Sequence, residues 1–439
     1  MKPENPNRIK PHLQRRARLA RELGSGVVIL PTAPERTRNA DSHYDYRWDS
    51  GFYYLTGFRE PEAVLAIVLG RKPREILFCR EKNLEREIWD GFRYGPKLAR
   101  EAFGFAEAYP IEELDAKLPE LIADQDAIHT PVGADPAWDA RVAGWLNAVR
   151  AKSRTGVTAP TQVRDVRASV NDMRLVKDAT EIAIMRRAAQ ISGAAHVRAM
   201  RAARPGRREY EVEAELLHEF VRHGARSPAY GSIVATGANA CVLHYRENDA
   251  EIRKGELMLI DAGCELGSYA SDITRTFPVD GRFTAPQKDI YELVLASQEA
   301  AIKAVKPGAQ FIAYHDAATR VLVRGLIDLK LCKGSVDKVL ADGSYKQYYM
   351  HRTGHWLGLD VHDAGDYMQR GKWRNLVPGM VLTVEPGLYI RPARNAPKAF
   401  WNIGVRIEDD VLVTAAGREV LTADCPKRVA DVEAAVQGR

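Results

Sequence analysis

No cysteine in the sequence is placed to pair or to form a cluster. Cys79, Cys241, Cys264, Cys332 and Cys425 are odd in number, widely spaced and free of any CxxC or Cys/His grouping. That excludes a disulfide scaffold and a thiolate-rich zinc site, and it suits reduced, buried thiols in a reducing compartment. Long apolar runs are missing too: none approaches the roughly 18 to 20 residues that a membrane span requires. The N-terminal stretch MKPENPNRIKPHLQRRARLARELG is basic and polar, and the first apolar run, Val27 to Leu30, is too short for a signal h-region. The Arg15-Arg16 pair therefore does not read as an export signal, and a cytoplasmic protein is expected. Nor does one sign of charge dominate: 64 Lys plus Arg against 58 Asp plus Glu leave +6 over 439 residues. A charge that dilute argues no polyanion-binding surface, so neither nucleic acid nor a membrane is an expected partner. Internal repeats and low-complexity tracts are also absent. What remains is an ordinary globular composition, 45% hydrophobic and 28% charged, in a chain long enough for two or three domains with cores of their own.

The first third alternates β-rich runs (GVVILPTA, AVLAIVLG, EILFCR) with helical patterns near Leu114 to Ala123 and Pro136 to Ala151. That alternation predicts an α/β unit. Between Lys152 and Met173 the text turns polar and loses its period, which places a domain boundary there, with domains at 1–172 and 173–439. A capping box, Asp178 with Glu181, then opens a helix whose apolar face carries Ile184, Ala188, Ile191 and Ala195. After the Pro205-Gly206 turn, a second helix shows Val212, Leu216 and Phe220 on one face and a Gly224 stop. The rest mixes β runs (YGSIVATG, ELMLIDAG, MVLTVEPGLYI, GVRIEDDVLVT) with helical stretches near 285–305 and 316–327, so the fold class is α+β.

Three of these β runs carry acidic residues where apolar or neutral ones are usual. In LMLIDAGCELGSYASDITRTF, Asp261 leads into a turn and Asp272 is expected in the returning strand, so a hairpin would bring the two carboxylates together. Their ordinary reading is a turn residue and a solvent-facing strand residue. In LTVEPGLYI and GVRIEDDVLV, the strand period aims Glu385 and Glu408 at a sheet face. A buried carboxylate must be paired, protonated or metal-bound, so internal salt bridges stand as the alternative for each. HRTGHWLGLDVHD adds His351, His355 and His362 within twelve residues, from eleven histidines in the chain. The i, i+4 spacing of His351 and His355 would suit a helix, but no Glu follows His351, so HExxH is absent. His244 precedes the first acidic strand. Four converging carboxylates would raise one another's pKa values, and two divalent ions would supply the compensating charge. Carboxylate-rich ligation favours Mn(II), Co(II) or Fe(II).

The ordered set DAG, SDITRTF, HWLGLDVHD, TVEPGLYI and GVRIEDD resembles the Xaa-Pro aminopeptidases (aminopeptidase P), whose pita-bread catalytic fold is shared by prolidases and methionine aminopeptidases. YDYRWDSGFYYLTGFREPEAVLAIV and EIWDGFRYG are similar to that family's N-terminal domain. The resemblance implies five metal ligands at Asp261, Asp272, His355, Glu385 and Glu408. In the implied pattern Asp272 and Glu408 span two metal ions, Asp261 serves one, and His355 and Glu385 serve the other. Manganese is the expected ion, with cobalt or zinc as substitutes. His244, His351 and His362 fall where the family places histidines that contact substrate or stabilise the tetrahedral intermediate. Arg406 and Tyr389 fall where an Arg and a Tyr support the Asp261 side. Trp89, in EIWDGFRYG, matches a segment that lies near an active site, sometimes a neighbouring subunit's; an ordinary buried Trp is the alternative.

The implied reaction is hydrolysis of the bond between an N-terminal residue and a following proline by a hydroxide held between two metals, with Glu385 relaying the proton. His351 and His362 come first as stabilisers of the oxyanion. The resemblance further implies a homodimer or homotetramer. A prolidase would share every ligand and need a cationic clamp for the dipeptide carboxylate, for which MQRGKWRN offers Arg370, Lys372 and Arg374. A non-catalytic peptide-binding relative and a metal-independent relative of the creatine-degrading kind are disfavoured by the intact ligand set.

Overall fold

The computed structural model describes residues 6–438; the first residues of the basic N-terminal stretch and Arg439 lie outside the described residues. The chain divides into two compact units, one ending at Arg174 and the other beginning at Leu175.

The N-terminal unit is built on a six-stranded mixed sheet. Its order is Glu107–Pro110, Arg74–Cys79, Val64–Val68, Val27–Pro31, Ala127–Thr130 and Gln162–Asp165. The strands read as apolar runs rather than alternations because both faces are buried: Val27 and Ile29 on one, Val28 and Leu30 on the other. The first face packs on the helices Leu114–Ile122 and Pro136–Arg150, through Leu118, Val142 and Trp145 among others. Asp135 caps the second helix by accepting from the Ala137 amide, with Pro136 as its first residue. Sequence reading misses the long N-terminal helix Pro6–Leu23, whose Arg16 is fully buried and paired with Glu75 at 2.7 Å. The polar stretch 152–173 is also more structured than its composition suggests. It contributes the edge strand Gln162–Asp165, exposed along its length, and most of the helix Arg167–Leu175.

In the C-terminal unit the capping box of Asp178 and Glu181 opens the helix Ala179–Ala202, followed by Glu209–Arg222, Ala285–Ala304 and Ala313–Asp328. Their apolar stripes, with Ala188, Ile191, Leu216, Phe220 and Ile290 at the centre, share one core with residues of the strands. One sheet has the antiparallel order Ile233–Thr236, Leu257–Asp261, Thr274–Pro278. Two long β runs form a second, bent arrangement. Val381–Val384 pairs with Asp409–Thr414, and Gly387–Ile390 pairs with Ile403–Arg406, so both runs break at the same level. Pro386 has no amide hydrogen to continue the ladder. Glu385 and Glu408 lie in these breaks, not within strands as the period of two had suggested.

Candidate metal centre

Asp261 closes the strand Leu257–Asp261 and is paired in register with Thr274. Asp272 lies two residues before the returning strand Thr274–Pro278, not inside it. Gly263 is what brings the two acids together. A Cβ there would sit 1.7 Å from the Ser271 carbonyl oxygen, so only glycine lets the Ser271-Asp272 segment fold back against the Asp261 turn. The histidine segment is a loop rather than a helix. It is docked on the Val381–Val384 strand: the His355 amide donates to Thr383 Oγ1 at 3.1 Å, and the Thr383 amide to the His355 carbonyl at 2.9 Å. Gly354 permits this approach, since a Cβ there would lie 2.0 Å from the Thr383 carbonyl oxygen.

These segments converge on a cavity of about 810 Å³ whose floor holds Asp261, Asp272, His355, Glu385 and Glu408. One ligand atom each from Asp272, His355 and Glu408 lies within 4.8 Å of the other two. His355 Nδ1 faces the Trp356 carbonyl at 3.0 Å and must donate to it, which turns Nε2 toward Asp272 and Glu385, each 3.5 Å away. Glu408 accepts from Thr274 Oγ1 at 2.6 Å, and Glu385 from Thr383 Oγ1 at 3.3 Å. Arg406 Nη2 donates to Asp261 at 2.6 Å.

The electrostatics are those of crowded acids short of cations. Burial first, then Asp272, Glu385 and Asp261, push the Glu408 carboxyl well above its ordinary range. Burial raises Asp272 too, with the Asp261 charge adding to it and His355 opposing. Glu385 is lifted to about 7 by burial, with His355 and Arg406 partly offsetting it. For His355 burial acts downward, but the hydrogen bond it donates to Asp272 and the charges of Glu385 and Asp272 prevail and carry it to about 9. An oxygen-rich donor set with one imidazole and surplus negative charge fits hard or borderline divalent cations.

Beside the acids runs a directed chain of hydrogen bonds. His351 Nδ1 lies 2.7 Å from the Arg352 carbonyl and donates to it, so Nε2 accepts from the Tyr389 hydroxyl at 2.9 Å. Tyr389 in turn accepts from Arg406 Nη1 at 2.9 Å, and Arg406 reaches Asp261. Burial and the Arg406 charge lower His351 to about 3, so its ring is neutral with both nitrogens engaged. His362 packs edge-on against His355 at 4.3 Å between centroids and is lowered by burial and by the His355 charge. His244 lines the same cavity on an exposed segment. Trp89 is not among the residues lining this cavity; it lies on the helix Leu84–Asp90 of the N-terminal unit and is 83% exposed, so it is not an ordinary buried Trp, and Leu84 and Ile88 are exposed beside it. Arg370, Lys372 and Arg374 belong to the Met368–Gln369 and Lys372–Trp373 hairpin and do not line the cavity.

Sequence reasoning missed Tyr230, whose hydroxyl donates to Asp261 at 2.6 Å and also to Asp272. The only signal was its place just before the strand Ile233–Thr236, and that becomes informative once Ile233 is known to pair with Asp261. It also missed an aromatic wall of Phe311, Tyr367 and Trp373, with Arg352 beside it.

Residues 183–415 match the family model of metallopeptidase family M24, and residues 12–129 that of the aminopeptidase P N-terminal domain. The chain is 45% identical to the Xaa-Pro aminopeptidase of Escherichia coli K12 over 96% of both chains. It is 35% identical to human Xaa-Pro aminopeptidase 3, over 93% of this chain and 80% of that one. Among solved structures, an aminopeptidase of Pseudomonas aeruginosa superposes with a TM-score of 0.96 at 50% identity, covering 98% of each chain. Zinc-substituted E. coli aminopeptidase P in complex with product gives the same TM-score at 44% identity and 98% coverage of each.

Proposed function

Because the chain belongs to metallopeptidase family M24 and carries the aminopeptidase P N-terminal domain ahead of a pita-bread catalytic domain, it is an Xaa-Pro aminopeptidase, and we propose that Asp261, Asp272, His355, Glu385 and Glu408 hold its metals. The observation that carries this assignment is the convergence of four carboxylates on one cavity floor with too little positive charge to balance them. The reading is of two divalent ions, manganese first and cobalt or zinc as substitutes. When bound, such ions supply Lewis acidity and make water a nucleophile at neutral pH.

The residues divide the remaining work. The acidic floor receives the peptide's N-terminal amine. Glu385, buried on the cavity floor beside His355, can take a proton from the attacking water and return it to the leaving proline nitrogen. His362 and His244 make no hydrogen bond to protein among the described residues, so each has an N–H to offer the scissile carbonyl as charge develops there. His351 acts through Tyr389 and is a positioning residue, holding the Arg406 fork on Asp261. The exposed Leu84, Ile88 and Trp89 support assembly into a homodimer or homotetramer through the N-terminal unit, with Trp89 then available to a neighbouring site. Five free, buried cysteines support a reducing, cytoplasmic setting; no helix among the described residues is long and apolar enough to cross a membrane.

The test is Glu385→Ala and His355→Ala assayed on Xaa-Pro-Yaa peptides. Both should be folded and without turnover, and activity within a few-fold of wild type would remove these residues from the centre. Assays of Xaa-Pro dipeptides alongside decide against a prolidase if the longer peptides are preferred.

A further inference from the structure

Beside the acids, the same cavity has an aromatic wall of different chemistry. Phe311 lies 4.5 Å from Trp356 and 4.8 Å from Tyr367 between ring centroids, and it stacks at 21° on Trp373 at 6.3 Å. Over this wall sits Arg352, its guanidinium carbon 5.1 Å from the Trp373 centroid. Arg352 lines the cavity, is exposed, and makes no hydrogen bond or ion pair through its side chain among the described residues. Arg406, the arginine on the cavity floor, is by contrast committed to Asp261 and Tyr389. A guanidinium lying over an indole, with its N–H groups unpaired, is suited to receive a planar anion.

We propose that Arg352, held on Trp373, is a specificity-determining residue that receives a carboxylate of the substrate peptide. This rests on the peptidase reading and narrows its substrate class. An N-terminal amine bound at the cavity floor and a carboxylate drawn to Arg352 would orient a short peptide within the cavity. The carboxylate has two sources in such a peptide: an acidic N-terminal side chain, or the free C-terminus of a short Xaa-Pro-Yaa chain. Both present the same group to the guanidinium.

The experiment measures kcat/KM for two peptide pairs with the metal-loaded enzyme. Glu-Pro-Ala-amide against Gln-Pro-Ala-amide tests the side chain, and Ala-Pro-Ala against Ala-Pro-Ala-amide tests the C-terminus. In one pair the anionic member should be preferred about tenfold or more, chiefly through KM, as a charge-assisted hydrogen bond allows. Raised salt should reduce that preference. Arg352→Gln should bring the ratio to within about twofold of unity, and Arg352→Lys should leave an intermediate ratio because it keeps charge without the planar fork. Ratios near unity for both pairs in the wild type would overturn the proposal. So would a preference that survives in Arg352→Gln, or one erased instead by Arg246→Gln on the same cavity wall. Absence of cleavage of all four peptides would defeat the peptidase reading and this proposal with it, whereas cleavage without discrimination defeats this proposal alone.

Discussion

Glu408 and Asp409 are adjacent in sequence and both fully buried, yet their surroundings are opposite. Asp409 accepts from Arg275 at 2.7 Å, Lys427 at 2.5 Å, Gln298 at 2.7 Å and Thr422 at 2.7 Å. Against the upward push of burial, the Arg275 and Lys427 charges hold it down at about 2. Glu408 faces Asp272, Glu385 and Asp261, and its side chain is donated to by the Thr274 hydroxyl. Arg275 even spans both residues, donating to the Glu408 carbonyl and to the Asp409 carboxylate. One carboxylate is therefore a finished structural ion pair, and its neighbour is an acid whose compensating charge the polypeptide does not provide. The lesson is that burial of charge marks a functional centre only where the fold stops short of neutralising it.

The largest expected effect separates these two neighbours. Asp409→Asn strips the countercharge from Arg275 and Lys427 and should cost about 3 kcal/mol with or without added metal. Glu408→Gln should abolish cleavage yet leave the metal-stripped protein at least as stable as wild type, because it removes repulsion. Denaturant unfolding of both variants, with and without Mn²⁺, checks the contrast; equal destabilisation would break it.

A second, smaller difference appears as pH is varied. Glu385 is raised from an ordinary 4.5 to about 7, so in the metal-stripped protein its charge opposes folding above pH 7 and that penalty is relieved as pH falls. His355 is raised from 6.5 to about 9, so its contribution is complete below 6.5 and lost as pH climbs through 9. Both act in one direction, and the melting temperature of the stripped protein should fall between pH 6 and 9. Asp409, lowered from 3.8 to about 2, contributes fully across that window and fails only as pH drops toward 2. Saturating Mn²⁺ should flatten or reverse the slope, because metal binding competes with the same protons. Calorimetric scans across pH would show it.

Much of this centre was legible in the sequence, because acids in apolar β runs and three closely spaced histidines are costly unless they serve a purpose. The helices were legible wherever a cap coincided with an apolar period, as at Asp178 and Ile191. Placement was harder to read. Whether Glu385 lies in a strand or at a break depends on how two distant runs pair, and Tyr230 meets Asp261 only through the register of Ile233. Arg352 passed unnoticed between His351 and His355, because its significance comes from Trp373, a neighbour supplied by tertiary folding. The exposed edge strand Gln162–Asp165 carries no apolar alternation at all, since pairing with Ala127–Thr130 alone defines it.

On the acidic side a smaller loss is expected at Tyr230. Tyr230→Phe removes a hydroxyl that bridges Asp261 and Asp272, and the stripped protein should lose about 1 kcal/mol. Unfolding midpoints in urea measure it.

Completion of the surplus carboxylates by divalent metal is what sets this centre apart from Asp409. Its most direct measurement is a titration of the metal-stripped chain with Mn²⁺, following bound ion by elemental analysis and cleavage of an Xaa-Pro-Yaa peptide together. Uptake of about two ions per chain, with activity rising in step and both lost in Glu408→Gln, is the expected result. A stripped chain that cleaves the peptide at full rate, or one that takes up no ion, would contradict the account.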